Sequence, residues 1–212
     1  SAHSHRHLEI QQTNAWKIQI VILKKVFKNN SEGYIFFEFA IPRMGKRVDN
    51  IIIIGDLIFV IEFKVGDTKV EKYAVDQVLD YSLDLKNFHQ GSHNEKLIPV
   101  LVSTHAPQKQ NSIDKYQDLL YQPLFANREN LYEVLSSCFT EKGTTNINPK
   151  EWQESTYKPT PTIIEAAQAL YKGHNVQEIS RSDSGAINLS KTANCINKII
   201  DVSKRNSQKS IC

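Results

Sequence analysis

Three charged side chains, Asp49, Glu62 and Lys64, occur among runs of isoleucine and valine. Gly55-Asp56 between them is typical of a two-residue hairpin turn, because glycine readily takes a positive φ. Such a turn pairs its flanking residues and each further pair outward, so Asp49 falls opposite Glu62, and Lys64 points to the same face. Directly opposed side chains lie about 5 Å apart at Cβ. The sequence therefore predicts two carboxylates and one amine side by side on a hairpin.

This arrangement favours a site for a divalent cation. Charges among apolar residues are costly to bury unless they are paired or bind a metal. Asp49 and Glu62 would repel each other at this distance, and a cation would relieve that repulsion. Hard oxygen ligands suit Mg²⁺ or Mn²⁺. The alternative is a pair of buried salt bridges, Lys64 with Glu62 and Arg47 with Asp49.

The hairpin must be held by neighbouring elements, which the hydrophobic pattern predicts along the first half of the chain. We expect helices over 8–28 and 68–89 and strands over 34–41, 47–54, 57–65 and 96–104. The strands at 47–54 and 57–65 are apolar on both faces, so we expect them to be central and covered on both sides. The order helix, three-strand meander, helix, strand predicts an α/β sandwich whose mixed sheet is flanked by helices.

The second half is predicted to be mainly helical. Short helices are expected at 113–120, 127–138 and 161–172, and a last helix at 190–206. Residues 173–190 are polar and contain glycine and serine, which is typical of a linker.

Composition bounds the class of protein. The 212 residues are 40% apolar and 23% charged, with a net charge of +3, which fits a globular protein and permits nucleic acid as a partner. The three cysteines form no CxxC pair, so a zinc site is not expected and a reducing cytoplasm is the expected compartment. No apolar run approaches the roughly 20 residues of a membrane span.

The hairpin and its flanking elements resemble the PD-(D/E)XK nuclease superfamily, whose restriction-endonuclease-like core has the order α-β-β-β-α-β. Asp49 takes the Asp position of the motif, and Glu62-Phe63-Lys64 takes the (D/E)XK position; Val48 stands where the motif name has Pro. The resemblance implies that Asp49, Glu62 and the carbonyl of Phe63 ligate Mg²⁺ or Mn²⁺. Lys64 would then orient or activate the attacking water.

The same resemblance suggests further site residues. Gln77 and Tyr81 lie four residues apart on the predicted second helix, where many members carry a Gln followed by a Tyr that place nucleophile or substrate. Glu9 in the first helix would be an outer metal ligand. The alternatives are a solvated helix residue for Gln77, core packing for Tyr81, and a first-turn charge that complements the helix dipole for Glu9.

Basic residues near the charged end of the hairpin could meet phosphates: Arg43, Lys46 and Arg47. Their alternative is a solvated turn. Glu38, in the middle of the first strand, is expected to form a structural ion pair with Arg43 or Lys46.

A longer resemblance runs through the segment IPRMGKRVDNIIIIGDLIFVIEFKVG. It is similar to the N-terminal nuclease-like region of bacterial P-loop DNA/RNA helicase proteins related to the Schlafen helicase group. This predicts a nuclease core over 1–107, a helical extension of the same domain over 108–172, and a linker and helix over 173–212 that lead to a helicase domain beyond the chain.

The expected function is metal-dependent hydrolysis of phosphodiester bonds, in DNA rather than RNA, with phage defence or DNA repair as the biological setting. The alternative is a catalytically inactive module of the same fold that binds nucleic acid or positions a helicase. Homo-oligomerisation stays open.

Overall fold

The structure is a computed structural model that describes residues 2–28, 33–116 and 118–157, without the side chains of residues 2–11 and Arg43. The chain divides between Lys158 and Pro159, and every described residue lies before that division. The elements expected at 161–172, 173–190 and 190–206 therefore lie outside the described residues.

A five-stranded mixed sheet forms the centre of the first unit, with its strands in sequence order. The first three strands form an antiparallel meander, and the last two run parallel to the third. Their bounds are β1 Tyr34–Ile41, β2 Lys46–Ile54, β3 Leu57–Lys64, β4 Lys96–Ser103 and β5 Leu124–Ala126. The α-helices are α1 Ala2–Phe27, α2 Lys72–Phe88, α3 Leu131–Ser137 and α4 Pro149–Gln153.

Helices cover both faces of the sheet, as the apolar strands predicted. One face packs against α1 and α3, and the other packs against α2 and Trp152 of α4. Alternate residues of β2 and β3 feed the two layers because side chains of a strand point to opposite faces in turn. Ile52 and Phe59 belong to the first layer, while Ile51 and Val60 belong to the second, and all four are fully buried.

The predicted hairpin register is confirmed. Gly55 has a φ of 64° at the turn, and the pairs run from Ile54 with Leu57 to Asn50 with Ile61. The ladder ends there, one pair before Asp49 and Glu62. Asp49 and Glu62 thus lie just beyond the last pair of the ladder, where the strands begin to separate.

The chain after β4 departs from the expected helices. No helix forms at 113–120, where the backbone bonds to the edge of β4 instead: the N–H of Tyr121 donates to the carbonyl of Leu97 at 2.9 Å. β5 follows, and α3 begins at residue 131 rather than 127. Asn127 and Asn130 form a capping turn in which the Asn127 N–H donates to Asn130 Oδ1 at 2.8 Å. Side-chain competition of this kind delays helix entry.

The expected division at residue 107, between the core and its extension, falls inside the first unit. Residues 124–126 add a strand to the same sheet, and Trp152 is 2% exposed in its core. Residues 108–157 therefore belong to the domain of the hairpin, as expected, but they are less helical than expected. None of the described helices is long and apolar enough to cross a membrane.

The hairpin turn is fixed to the rest of the domain by one carboxylate. Asp56 Oδ2 accepts a hydrogen bond from Lys96 Nζ at 2.8 Å, and Asp56 Oδ1 accepts one from the Gly143 N–H at 2.8 Å. The side chain of Asp56 is 8% exposed. This carboxylate thus joins the β2–β3 turn to the start of β4 and to the segment before α4.

We predict that Asp56→Ala lowers the free energy of unfolding by about 2 kcal/mol, because it removes the carboxylate that accepts from both Lys96 Nζ and the Gly143 N–H. Urea denaturation followed by circular dichroism measures this. Asp76→Ala is the control, since it breaks an exposed ion pair with Lys72 and should change stability little. Equal effects of the two substitutions would show that the Asp56 contacts do not hold the turn.

Candidate functional site

Glu62 and Lys64 meet Gln77 in a closed hydrogen-bonded network. Lys64 Nζ donates to Glu62 Oε1 at 3.1 Å and to Gln77 Oε1 at 2.8 Å. Gln77 Nε2 donates to the same Glu62 oxygen at 2.8 Å and to the Tyr81 hydroxyl at 2.8 Å. The end of β3 and the first half of α2 therefore position these side chains together, and the predicted face-sharing of Gln77 and Tyr81 is observed.

Asp49 closes the site from β2. Its Oδ2 accepts the N–H of Phe63 at 2.8 Å, beyond the last pair of the β2–β3 ladder. A carboxylate thus replaces the backbone carbonyl that a continuing strand would offer. The buried side chain of Gln19 on α1 lies near enough to Asp49 to lower the pKa of that carboxyl. The structure therefore brings Asp49, Glu62 and Lys64 to one place, as the hairpin register predicted.

Electrostatics show how close the two carboxylates are. Burial raises the pKa of Glu62 to about 7, and the neighbouring charge of Asp49 is the second largest cause of this rise. Burial also raises the pKa of Asp49, against the opposing effect of its hydrogen bond from Phe63 N–H. The charge of Asp49 thus disfavours ionisation of Glu62, the charge of Glu38 adds to the rise in the pKa of Asp49, and Lys64 lowers both pKa values without cancelling these effects.

One oxygen of this site has no partner among the described residues. Glu62 Oε2 is buried and accepts no hydrogen bond from them, whereas Lys64 and Gln77 both donate to Oε1. An unsatisfied buried carboxylate oxygen costs more than a typical lost hydrogen bond. A divalent cation held by Glu62 and Asp49 would satisfy it and relieve their repulsion. The donor set is hard oxygen and fits Mg²⁺ or Mn²⁺.

The number of protein ligands is limited. Over the described ranges, no group of three or more His, Cys, Asp or Glu side chains is arranged to hold a metal. The donors on offer are therefore two carboxylates, with backbone carbonyls and water left to complete the shell, as is common for Mg²⁺. Phe63 supplies its N–H to Asp49, and its ring packs in the core, 5% exposed.

Glu38 borders the site in an unusual conformation. Its φ is 50°, and the β1–β2 ladder skips the pair it would form with Asp49. Its carboxylate accepts a hydrogen bond from Trp16 Nε1 at 2.9 Å and lies 4.0 Å from Arg47. Glu38 thus forms an ion pair with Arg47, and the expected pair with Arg43 stays a prediction because that side chain lies outside the described residues. A left-handed residue costs free energy and is typical of functional sites.

Of the two salt bridges in the alternative interpretation, one is formed. Lys64 does bridge Glu62, but Arg47 faces Glu38 and leaves Asp49 without a basic partner from β2. Lys46 is exposed at the start of β2. The side chain of Arg43 lies outside the described residues.

Two further expectations concern the helices. Tyr81 is 2% exposed, so its ring packs in the core and only its hydroxyl reaches the network; it offers no surface to nucleic acid. The side chain of Glu9 lies outside the described residues, so its role as an outer metal ligand stays a prediction. Among the described side chains of α1, Gln19 is the one that lies near Asp49. Gln19 is ten residues from Glu9, which is about 15 Å along the helix.

Sequence reasoning missed Gln19, Trp16 and Tyr73 at this site. Gln19 carried a signal, since it is a polar residue inside the apolar run of residues 18–23. Trp16 and Tyr73 fall within the apolar patterns that predict the two helices, but they are 50% and 60% exposed.

No family model, curated protein or solved structure matches this chain. The site is therefore interpreted from its own chemistry.

The raised pKa of Glu62 makes a prediction about stability without metal. A carboxyl group whose pKa rises on folding stabilises the fold when protonated, and this contribution is lost as pH rises from about 4.5 to about 7. Glu62→Gln should therefore melt at a progressively higher temperature than the parent across that range, with the difference constant above about pH 8. Differential scanning fluorimetry in EDTA measures both proteins.

The measured quantity is the difference in melting temperature between the two proteins. Burial lowers the pKa of His89 to about 4, so His89 makes both proteins more stable as pH rises, and this effect cancels in the difference. A difference that shrinks or changes sign as pH rises would show that ionised Glu62 stabilises the fold through Lys64.

Proposed function

We propose that this domain is a metal-dependent nuclease of the PD-(D/E)XK type, with a restriction-endonuclease-like core, that hydrolyses phosphodiester bonds in DNA. The observation that carries the proposal is the network of Glu62, Lys64 and Gln77, with Asp49 beside it and Glu62 Oε2 unpartnered. Supporting it, the elements follow the order α-β-β-β-α-β, with the charged residues where β2 and β3 separate.

The residues have distinct tasks in this proposal. Asp49, Glu62 and the carbonyl of Phe63 would hold Mg²⁺ or Mn²⁺, which when bound polarises a phosphate and acidifies water. Lys64 holds the attacking water by a hydrogen bond and offers a positive charge to the developing phosphorane. Gln77 fixes the direction of Lys64 Nζ by accepting from it, and Tyr81 in turn receives the Gln77 amide.

The biological setting is proposed from the resemblance of the hairpin segment. We expect the domain to be the N-terminal part of a cytoplasmic nuclease–helicase protein that acts in phage defence or DNA repair. Lys46, Arg47 and Arg43 are proposed contacts for backbone phosphates.

A catalytically inactive module that binds nucleic acid is the second candidate. The observation that favours it is the 3.1 Å bridge between Lys64 and Glu62, which satisfies part of the site without a metal. Against it, removing any one of Asp49, Glu62 and Lys64 would suffice to end catalysis, and all three are present.

We predict that the protein cleaves labelled DNA with Mg²⁺ or Mn²⁺, while Ca²⁺ supports little cleavage because its larger, looser shell positions water poorly. Lys64→Ala should lower the cleavage rate at least 100-fold, since it removes a charge that acts in the transition state. Asp49→Asn should abolish cleavage and keep or raise the melting temperature in EDTA, because it removes the repulsion with Glu62. Lys150→Ala, at an exposed lysine on α4 away from the site, is the control and should cleave normally.

Gel assays with duplex and single-stranded DNA and RNA measure these rates. Cleavage that persists in excess EDTA or in Lys64→Ala would place the activity elsewhere. Nucleic-acid binding without cleavage under every cation would support the inactive module.

A further inference from the structure

Two large aromatic rings stand exposed beside the charged centre. Trp16 on α1 is 50% exposed, and its Nε1 donates to Glu38 Oε1 at 2.9 Å. Tyr73 on α2 is 60% exposed, and its ring centroid lies 5.8 Å from Lys64 Nζ. Tryptophan is usually highly buried in folded proteins. Two exposed rings this close to a charged site therefore require an explanation.

Each ring is one contact away from the centre. Glu38, which holds Trp16, is near enough to raise the pKa of Asp49. Lys64, which Tyr73 faces, belongs to the network with Glu62. The two rings belong to helices that cover opposite faces of the sheet, and each contacts a residue beside the two carboxylates.

Exposed cations accompany both rings. Arg47 lies beside Glu38 with its side chain 66% exposed. Lys69 precedes α2 and Lys72 begins it beside Tyr73 in sequence; their side chains are 75% and 87% exposed and form surface ion pairs with Glu71 and Asp76. Aromatic side chains interleaved with cations are the composition of grooves that bind single-stranded nucleic acid, where bases stack on rings and cations follow the backbone.

We propose that Trp16 and Tyr73 stack on unpaired bases on either side of the phosphate at the centre, so that the site takes a single-stranded polynucleotide in preference to intact duplex. The position of the phosphate rests on the proposed function. In a duplex the base faces are covered by neighbouring bases, so the two rings gain contacts only with unpaired nucleotides.

The test is fluorescence anisotropy with a labelled strand of about 12 nucleotides, compared with a strand in which the central bases are replaced by abasic residues and with duplex of the same length. Ca²⁺ replaces Mg²⁺ so that cleavage does not intervene. Trp16→Ala and Tyr73→Ala should each weaken binding of the intact single strand about tenfold and leave the abasic strand unaffected. Trp16→Phe and Tyr73→Phe keep a ring and should restore most of the affinity.

Tyr132→Ala is the control, because Tyr132 is 47% exposed on α3 and has no contact in the network. Trp16 and Trp152 are the two tryptophans of the chain, and Trp152 is buried, so quenching of tryptophan emission by the single strand should disappear in Trp16→Phe.

Equal binding of intact, abasic and duplex strands by the parent, or alanine variants that bind like the parent, would overturn the proposal while leaving any cleavage activity in place. Base-dependent binding, together with no cleavage when Mg²⁺ or Mn²⁺ is supplied, would retain the stacking role and refute the nuclease. An RNA strand in parallel identifies the source of the unpaired bases: tighter binding of RNA keeps stacking and contradicts the choice of DNA.

Discussion

The burial of two like charges at the end of an apolar hairpin is the constraint on which this site depends. Glu62 is 5% exposed and shares its surroundings with Asp49, although neither carboxylate is easily ionised there. The protein offsets the cost locally, with Lys64, the amide of Gln77 and the N–H of Phe63. The offset is incomplete, because one Glu62 oxygen stays unpartnered. Apolar groups of similar size at these positions would avoid this cost, and the cost is the reason why we propose a bound cation.

The rest of the domain holds Asp49, Glu62 and Lys64 in place. β2 and β3 are buried on both faces, which fixes the hairpin register, since a slip by one residue would move every side chain to the other layer. α2 then brings Gln77 over the end of β3, and α1 brings Gln19 to Asp49. Glu62 and Lys64 therefore share a partner on α2, Gln77, and Asp49 has its partner on the neighbouring strand, the N–H of Phe63.

Local rules predicted the centre of the site but not its surroundings. The turn at Gly55-Asp56 and the two-residue period of a strand suffice to place Asp49 opposite Glu62, because both depend only on near neighbours. Glu38 lies in the middle of β1 as expected, but its left-handed φ of 50° was not predicted, because no residue type there signals it. The bonds of Tyr121 to β4 depend on a sheet edge that forms from distant residues, so the helix expected at 113–120 was wrong.

The most direct test of the metal centre is calorimetric titration of Mn²⁺ into the protein and into the double variant Asp49→Asn, Glu62→Gln. His3, His5 and His7 near the start of the chain can also take up Mn²⁺, so the difference between the two proteins is the measured quantity. The metal-centre hypothesis predicts that the parent binds at least one more equivalent than the double variant. Identical titrations of two folded proteins would contradict it, and the carboxylates would then be structural partners of Lys64.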